Sequence, residues 1–433
     1  MSSPVLLALI LLAPQRDARA DLARELAGAV DLPDPAARRS AAFALAARKD
    51  LSIEDLLAAA ASFGDFERAE PGSRVERIPI LVDGKAEDTE LHLRIPKGYD
   101  PARAAPLMLS FHWTGGSGEG MDRLWGAVAD QLGMLVLAPS EAGANEGYAF
   151  SARERAAALA ALRWMRRRYD VDENRIFATG ISRGGHLAWD LALRHPDLFA
   201  AIAPMIGGPR FQLAGGQNNL RYLDNVLHLP IRDLQGSQDD PGLIANLRIA
   251  FDRLERKRAA DAKLVLFPDK GHDFDFGAVD WALFLGGARR DPAPARVVRL
   301  AVRADEARAF WIEVTRFQKT VAEDVTPSVP KSKWDALDED GRRRLLEEEV
   351  EKRTARIEAR RTATGRFAVT SERVAAFRLL LPREAFDPAS AVRVNFNGHY
   401  FEKKAVLDPK VLLLDFVERF DRTFLPVASI EVP

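Results

Sequence analysis

The chain has 433 residues, a length that favours two domains over one. Its 62 basic and 63 acidic side chains leave a formal net charge of −1, which indicates neither a nucleic-acid partner nor an anionic membrane surface. The sequence contains no cysteine, so disulfides, thiol catalysis and cysteine-ligated metals are excluded, and no metal site is predicted.

The N-terminus has the pattern of a signal peptide over residues 1–20. Residues 5–13 are apolar, and Ala18-Arg19-Ala20 fits the small-residue cleavage site of an exported protein. The apolar run is shorter than the roughly 20 residues that a membrane-spanning helix needs. Because no lysine or arginine precedes the run, a buried N-terminal helix is the alternative. We expect export to the periplasm or the exterior.

The next two segments predict short helices and then a large α/β domain. Residues 21–72 are rich in alanine and leucine and predict two or three helices, separated at Pro33-Asp34-Pro35 and ending near Gly64. Over residues 73–292 strands alternate with helices, a pattern typical of a doubly wound, mostly parallel sheet. The predicted strands are residues 75–82, 89–95, 107–111, 134–138, 175–179, 198–203, 229–234 and 264–267, and the main helices are 152–168, 186–195 and 243–260. The first two strands are expected to form an antiparallel edge.

Residues 293–433 predict a small β-rich accessory domain after the linker at 291–294. Its predicted strands are residues 297–302, 310–314, 366–370, 377–381 and 392–396. Asn397-Gly398 predicts a type I′ hairpin turn, in which both central residues have positive φ, and Asp408-Pro409 predicts a helix start. Residues 331–361 carry charges of both signs, which favours an exposed helix with ion pairs between its turns over a nucleic-acid-binding or partner-binding arm.

A candidate nucleophile stands at the end of a predicted strand. The segment GISRG, residues 180–184, fits the G-x-S-x-G turn that places a serine between a strand and a helix. A serine hydroxyl is a weak nucleophile that needs a base and donors for the developing oxyanion. The alternative is a glycine-rich turn in which Ser182 only caps a helix. The strand before it and the amphipathic helix after it favour the nucleophile.

Candidates for the base and the acid follow later strands in the order serine, acid, histidine. His272 follows the last strand of the predicted sheet, and Asp239 and Asp240 follow the strand before it. The alternative for His272 is a loop histidine with a local hydrogen bond. In such loops the acid commonly stands three residues after the glycine, so Gly236 predicts Asp239. Asp240 is then the N-cap of a helix that begins at Pro241.

Oxyanion donors are predicted at the backbone of Arg183, next to the nucleophile, and of Thr114, in the loop after the third strand, with Trp113 as the alternative to Thr114. Trp113 and Tyr148 are candidate pocket residues, although aromatic residues at strand ends are more often part of the core. We expect His112 to pack against or orient its loop. The Arg183 side chain is either a contact for an anionic substrate group or an exposed cation.

Three segments within residues 89–281 resemble the secreted α/β-hydrolase serine esterases, and most of all the polyhydroxybutyrate depolymerase, feruloyl esterase and dienelactone hydrolase-like group. They are LRIPKGYDPARAAPLMLSFHWTGG, RRRYDVDENRIFATGISRGGHLAWDLALRHPDLFAAIAPMIGG and FPDKGHDF. The resemblance implies an α/β-hydrolase fold and ester hydrolysis through an acyl-enzyme without a cofactor. Residues 391–432 are similar to an accessory module of some bacterial members. The chain differs from the family at Trp113, where glycine is usual, and in residues 331–361.

The sequence therefore predicts a carboxylesterase for a small-molecule or polymeric ester, with no oligomeric state assigned. One alternative is a serine peptidase of the prolyl-oligopeptidase type, which shares the fold and the order of the triad. Such peptidases usually carry a β-propeller before the catalytic domain, and the helical residues 21–72 lack the strands for one. The other alternative is a non-catalytic binding protein on a hydrolase scaffold, for which replacing Ser182 would change nothing measurable.

Overall fold

The computed structural model describes residues 20–82, 85–140, 147–211, 218–325 and 329–433. The predicted signal peptide lies outside these ranges except for its last residue. Within them, no helix combines the length and the apolar character needed to cross a membrane. The chain divides into two compact units, one formed by Phe66–Ala359 and Thr370–Phe377, and the other by the described residues up to 65 together with Arg360–Val369 and Arg378–Pro433.

Three helices open the second of these units, as the sequence predicts. They are α1 (residues 20–31), α2 (Pro35–Ala46) and α3 (Ile53–Ala61). Asp34 caps α2 by accepting a hydrogen bond from the Ala37 N–H, and Ser52 forms a capping box with Asp55 at α3. The buried faces of the three helices share an apolar cluster with the C-terminal helix Pro409–Arg419.

All eight strands predicted in the α/β domain form one sheet in the unit that contains Ser182. They are β1 (Gly72–Val82), β2 (Lys85–Ile95), β3 (Ala105–Phe111), β4 (Leu135–Ser140), β5 (Val171–Ile181), β6 (Ala201–Met205), β7 (Ile231–Gly236) and β8 (Ala262–Phe267). Their order is β1-β2-β4-β3-β5-β6-β7-β8. Strand β2 is antiparallel to β1 and β4, and the remaining neighbours are parallel, which confirms the antiparallel edge. This is the α/β-hydrolase arrangement that the resemblance implies.

Helices cover both faces of the sheet, because successive side chains of each strand point to opposite sides. The helices are α4 (Gly118–Leu132), α5 (Ala152–Arg168), α6 (Arg183–Arg194), α7 (Pro241–Arg256) and α8 (Trp281–Gly287). Leu107 and Leu109 of β3 lie in the core with α5, α6 and α7. Met108, between them, lies in the core with α4 and α8. The sheet is therefore doubly wound, as predicted.

The C-terminal region is β-rich, as predicted, and its strands form two further sheets of four and five strands. Its elements are β9 (Arg296–Ala301), β10 (Arg308–Ala309), β11 (Ile312–Phe317), α9 (Lys331–Asp335), α10 (Glu339–Glu351), β12 (Ala355–Ala363), β13 (Arg366–Glu372), β14 (Val374–Pro382), β15 (Ala391–Phe396), β16 (His399–Lys404), α11 (Pro409–Arg419) and β17 (Pro426–Val432). Asn397 and Gly398 have φ of 48° and 88° between β15 and β16, which confirms the hairpin turn.

The charged stretch 331–361 is helical only in its first part. Helices α9 and α10 agree with the prediction, but β12 begins at Ala355, so the prediction of a helix over residues 355–361 is wrong. Ala355, Ile357 and Ala359 are buried in alternation with more exposed charged residues. This period of two is that of a strand, but the charged residues between the apolar ones made the segment resemble an exposed helix in the sequence.

Residues 293–359 belong to the same compact unit as the eight-stranded sheet, although the sequence predicts a domain boundary at 292. Glu306, beyond that boundary, is buried and forms an ion pair with Arg194 of α6 at 2.5 Å. A second arginine, Arg155 of α5, lies 3.6 Å from the same carboxylate. Glu306 therefore supplies a negative charge to the interior of the unit that contains the eight-stranded sheet.

Replacing Glu306 by glutamine should destabilise this unit, because two buried arginines would lose a charged partner. Breaking a buried pair in this way costs about 3–5 kcal/mol of unfolding free energy. Urea unfolding followed by tryptophan fluorescence would measure the loss. Asp305→Asn is the matched control, since the Asp305 carboxylate is exposed and pairs only with the nearby Arg303 among the described side chains. Equal stability of the two variants would contradict the argument.

Candidate active site

Ser182 occupies a strained turn between a central strand and a helix. Strand β5 ends at Ile181, α6 begins at Arg183, and Ser182 has φ of 55° and ψ of −111°. A non-glycine residue with positive φ is uncommon and usually held by its surroundings. Here the Ser182 N–H donates to the carbonyl of Met205 on β6, at 2.8 Å. The turn therefore presents Ser182 at the C-terminal edge of the sheet.

The glycines of the turn allow the close approach of backbone that this geometry requires. A Cβ at Gly180 would lie 2.2 Å from the carbonyl oxygen of Gly184, and a Cβ at Gly184 would lie 2.1 Å from that of Phe111. The C-terminal end of β3 thus lies in contact with the start of α6. The loop that follows Phe111, with the predicted donor Thr114, begins at this contact.

The structure brings Ser182, His272 and Asp239 into one hydrogen-bonded row. The Nε2 atom of His272 is 2.8 Å from the Ser182 Oγ, and its Nδ1 atom is 2.8 Å from the Asp239 Oδ2. His272 follows β8 and Asp239 follows β7, so both side chains come from loops at the same edge of the sheet as Ser182. With the proton on Nδ1, the ring donates to the carboxylate and Nε2 can accept from the hydroxyl.

Asp239 is held as a carboxylate by donors on both oxygens. Its Oδ1 accepts from the Asp240 N–H at 2.7 Å, and its Oδ2 accepts from the Nε2 of Gln235 at 2.7 Å as well as from His272. Burial opposes ionisation of this carboxyl, but the hydrogen bonds outweigh it, so the pKa of Asp239 lies below its ordinary value. Gln235 is not among the site residues predicted from the sequence. A polar glutamine at a buried position of strand β7 is the feature that could have indicated it.

Asp240 has the separate function predicted for it. Its Oδ1 accepts from the Leu243 N–H at 2.8 Å at the start of α7, with Pro241 in the first turn. The Asp240 carboxylate is thus used at the helix terminus, whereas that of Asp239 faces His272.

Residues 144–279 match the Dienelactone hydrolase family. It is 31% identical over 171 residues to feruloyl esterase C of Emericella nidulans, a match of 36% of this chain and 62% of that one. It is 30% identical over 155 residues to the probable feruloyl esterase C of Aspergillus flavus, covering 34% of this chain and 57% of that one. The chain thus spans about three fifths of the length of these relatives.

A solved structure with a similar fold is the poly(3-hydroxybutyrate) depolymerase LpqC from Bordetella parapertussis. It has a TM-score of 0.37 and 21% identity, and the alignment covers 46% of this chain and 85% of that one. Ser182, Asp239 and His272 all lie inside the segment that matches the dienelactone hydrolase family, whereas Trp113 and Thr114 precede it.

Two other predicted site residues, Tyr148 and Arg183, are buried near the turn. The Tyr148 hydroxyl donates to the Oδ2 of Asp190 at 2.8 Å in the interior, so its polar atom faces the core. Arg183 is only 6% exposed and forms an ion pair with Glu154 at 2.9 Å. The expectation of an exposed Arg183 cation is therefore wrong. Its guanidinium lies over the Tyr148 ring, 5.9 Å from the centroid.

The loop between β3 and α4 carries the two remaining candidates, Trp113 and Thr114. Trp113 is 38% exposed, and its indole lies over Gly116 and Gly120, where a Cβ would approach it to 2.8 and 2.5 Å. Thr114 is exposed in the same loop. His112 is buried with its Nδ1 2.7 Å from the Trp113 carbonyl oxygen, and burial lowers its pKa. A neutral His112 fits the expected orienting of the loop.

Within the described ranges, no three histidine or carboxylate side chains are grouped so that they could hold an ion. The polar side chains around Ser182 can accept a proton and orient an imidazole, which are two of the functions that acyl transfer needs.

Proposed function

We propose that the protein is a serine carboxylesterase with Ser182 as nucleophile, His272 as general base and Asp239 as the residue that orients the base. The observation that carries the proposal is the position of the His272 ring, with one nitrogen 2.8 Å from the Ser182 Oγ and the other 2.8 Å from the Asp239 Oδ2. Distances of this length suit proton transfer from a hydroxyl to an oriented imidazole.

The reaction would proceed in two halves. The Ser182 Oγ attacks the ester carbonyl carbon while its proton passes to the Nε2 of His272, and the carbonyl oxygen becomes an oxyanion. Collapse of this intermediate breaks the bond to the alcohol oxygen, which takes the proton from His272 and leaves an acyl-enzyme. Water then gives a proton to His272 and attacks the acyl carbon. The acid departs and the hydroxyl of Ser182 regains its proton.

Two backbone N–H groups would stabilise the oxyanion in each half. One belongs to Arg183, the first residue of α6, and the other to Thr114 in the loop that begins beside Gly184. Donors fixed in this way before the reaction are worth far more than donors in water, because they need no reorganisation. The Glu154 ion pair to Arg183 holds that residue in place at the turn.

The comparisons favour an ester over a peptide as substrate. The matched family is named for hydrolysis of a lactone, which is a cyclic ester, and two relatives are named as feruloyl esterases or probable feruloyl esterases. We extend the same activity class to this chain as a proposal, and we propose that it acts after export. The substrate would be a small or polymeric ester, and no cofactor enters the chemistry.

A substrate panel tests the proposal directly. Purified protein would be assayed with p-nitrophenyl esters of two to eight acyl carbons, with methyl ferulate, and with peptide p-nitroanilides. We expect ester cleavage at a rate well above that of the anilides. Faster cleavage of the anilides would favour a peptidase, and no turnover by the folded protein would favour a binding protein.

A further inference from the structure

Gln235 is a fully buried amide at the end of β7 that contacts the proposed catalytic acid. Its Nε2 donates to the Asp239 Oδ2 at 2.7 Å and lies 3.2 Å from the carbonyl oxygen of its neighbour Gly236. Its Oε1 is buried, and no described group donates to it. Among the described groups, the hydrogen bonds that orient the Gln235 amide are therefore those of its nitrogen.

Burying an amide whose oxygen has no donor lowers the stability of the fold, unless the hydrogen bonds of its nitrogen compensate. The strongest of the bonds that Gln235 makes is to an ionised carboxylate, because charge-assisted bonds exceed neutral ones. An apolar side chain would fill this position in a strand without leaving a buried oxygen unpaired. The identity of the residue therefore follows from the carboxylate beside it rather than from packing.

We propose that Gln235 is a positioning residue of the triad, which keeps Asp239 ionised and aligned with His272. The proposal rests on the proposed serine hydrolysis. Gln235 and His272 donate to the same oxygen of Asp239, while the Asp240 N–H donates to the other, so the plane of the carboxylate is fixed. An amide nitrogen donates and does not accept. The Gln235 amide therefore stabilises the ionised Asp239 carboxylate when His272 becomes an imidazolium.

Two titratable groups besides Asp239 and His272 lie on β7 itself and on α6. Asp239 and His272 lie in the two loops, and Asp233 lies two residues back on the same face of β7, where it accepts a hydrogen bond from Trp189. His186 of α6 is the fourth, close enough that Asp239 and His272 both influence it electrostatically. Only Asp239 is in hydrogen-bond contact with the Gln235 side chain among these four.

The first test replaces Gln235 by methionine, which has a similar volume and no donor. We expect kcat for a p-nitrophenyl ester to fall about tenfold, as for loss of one charge-assisted hydrogen bond, with KM within about twofold. Gln238→Met is the matched control. The Gln238 side chain is exposed in the same turn and donates only to the Pro268 carbonyl oxygen, at 3.1 Å, among described groups. We expect its kcat to equal that of the wild type.

The second test is Gln235→Glu, which keeps the shape and adds an ionisable oxygen. Two carboxylates at this distance resist ionising together, which raises the pKa of one of them, so at lower pH they share one proton. While Glu is protonated it donates to Asp239 as the amide did, and activity should be retained. As pH rises and the proton leaves, the two carboxylates repel and kcat should fall. The wild type and Gln238→Glu should show no such fall.

A measurement on the imidazole separates this inference from the proposed function. Following the Nδ1–H proton of His272 by NMR does not require turnover, and its chemical shift reports the hydrogen bond to Asp239, so Gln235→Met should change that shift more than Gln238→Met does. If wild-type protein hydrolyses no ester, the proposed function fails, and the NMR comparison still decides whether Gln235 acts on the pair. Unchanged kcat, pH profile and Nδ1–H chemical shift in folded Gln235 variants would overturn the inference.

Discussion

Replacing Ser182 by alanine should reduce kcat/KM for esters by roughly 10⁴- to 10⁶-fold, the range seen when a triad nucleophile is removed. Alanine keeps a Cβ at the same backbone position and loses only the Oγ that His272 contacts at 2.8 Å. The turn should therefore form as before, and substrate binding should change little. Steady-state kinetics with a p-nitrophenyl ester, together with a thermal melting curve, would separate loss of chemistry from loss of fold.

Ser237→Ala is the matched control for this variant. Ser237 lies in the loop after β7, and its hydroxyl donates to the Pro268 carbonyl oxygen at 2.8 Å, away from the His272 ring. We expect nearly full activity from it. Activity of Ser182→Ala close to that of Ser237→Ala would contradict the nucleophile assignment and favour a scaffold without catalysis.

Asp239→Asn should lower kcat by about 10⁴-fold, whereas Asp240→Asn should leave it nearly unchanged. An asparagine at 239 keeps the shape but can donate to the Nδ1 of His272, which would place the imidazole proton on Nε2 and remove the base. An asparagine at 240 still caps α7, since Asn and Asp are about equally good at helix N-termini. Kinetics and melting temperatures of the two variants test this together.

The reverse pattern would show that Asp240 is the acid and that the hydrogen bond between Asp239 and His272 is not the functional one. Equal and small effects in both variants would show that neither carboxylate orients the base. The structure predicts neither outcome, because the Asp239 carboxylate lies 2.8 Å from the His272 ring, whereas the Asp240 carboxylate caps α7.

The parallel sheet and the row of site residues could be predicted because both depend on local sequence patterns. Strands such as residues 107–111 are apolar except for Ser110, and a strand buried on both faces needs such a composition. Ser182, Asp239 and His272 lie one, three and five residues after the strands β5, β7 and β8. Parallel strands end at the same edge of a sheet, so chain order alone places the three side chains near one another.

The features that could not be predicted depend on contacts distant in the chain. Glu306 resembles any surface acid in sequence, and its burial becomes evident only once Arg194 and Arg155 are seen beside it. Arg183 is likewise paired with Glu154, which is 29 residues away. Long-range ion pairs leave no periodic pattern in the sequence. Strand β12 could not be predicted for another reason, since its buried residues Ala355, Ile357 and Ala359 alternate with charged side chains.

The measurement that tests the central claim most directly is labelling of the purified protein with a fluorophosphonate, followed by peptide mass spectrometry. Phosphonylation requires an activated serine, so we predict one adduct per chain, on Ser182, and its loss in His272→Ala. The same label on Gln238→Met would show that the loop tolerates substitution. Failure of the folded wild-type protein to react, or an adduct on another residue, would contradict the assignment of Ser182 as the nucleophile.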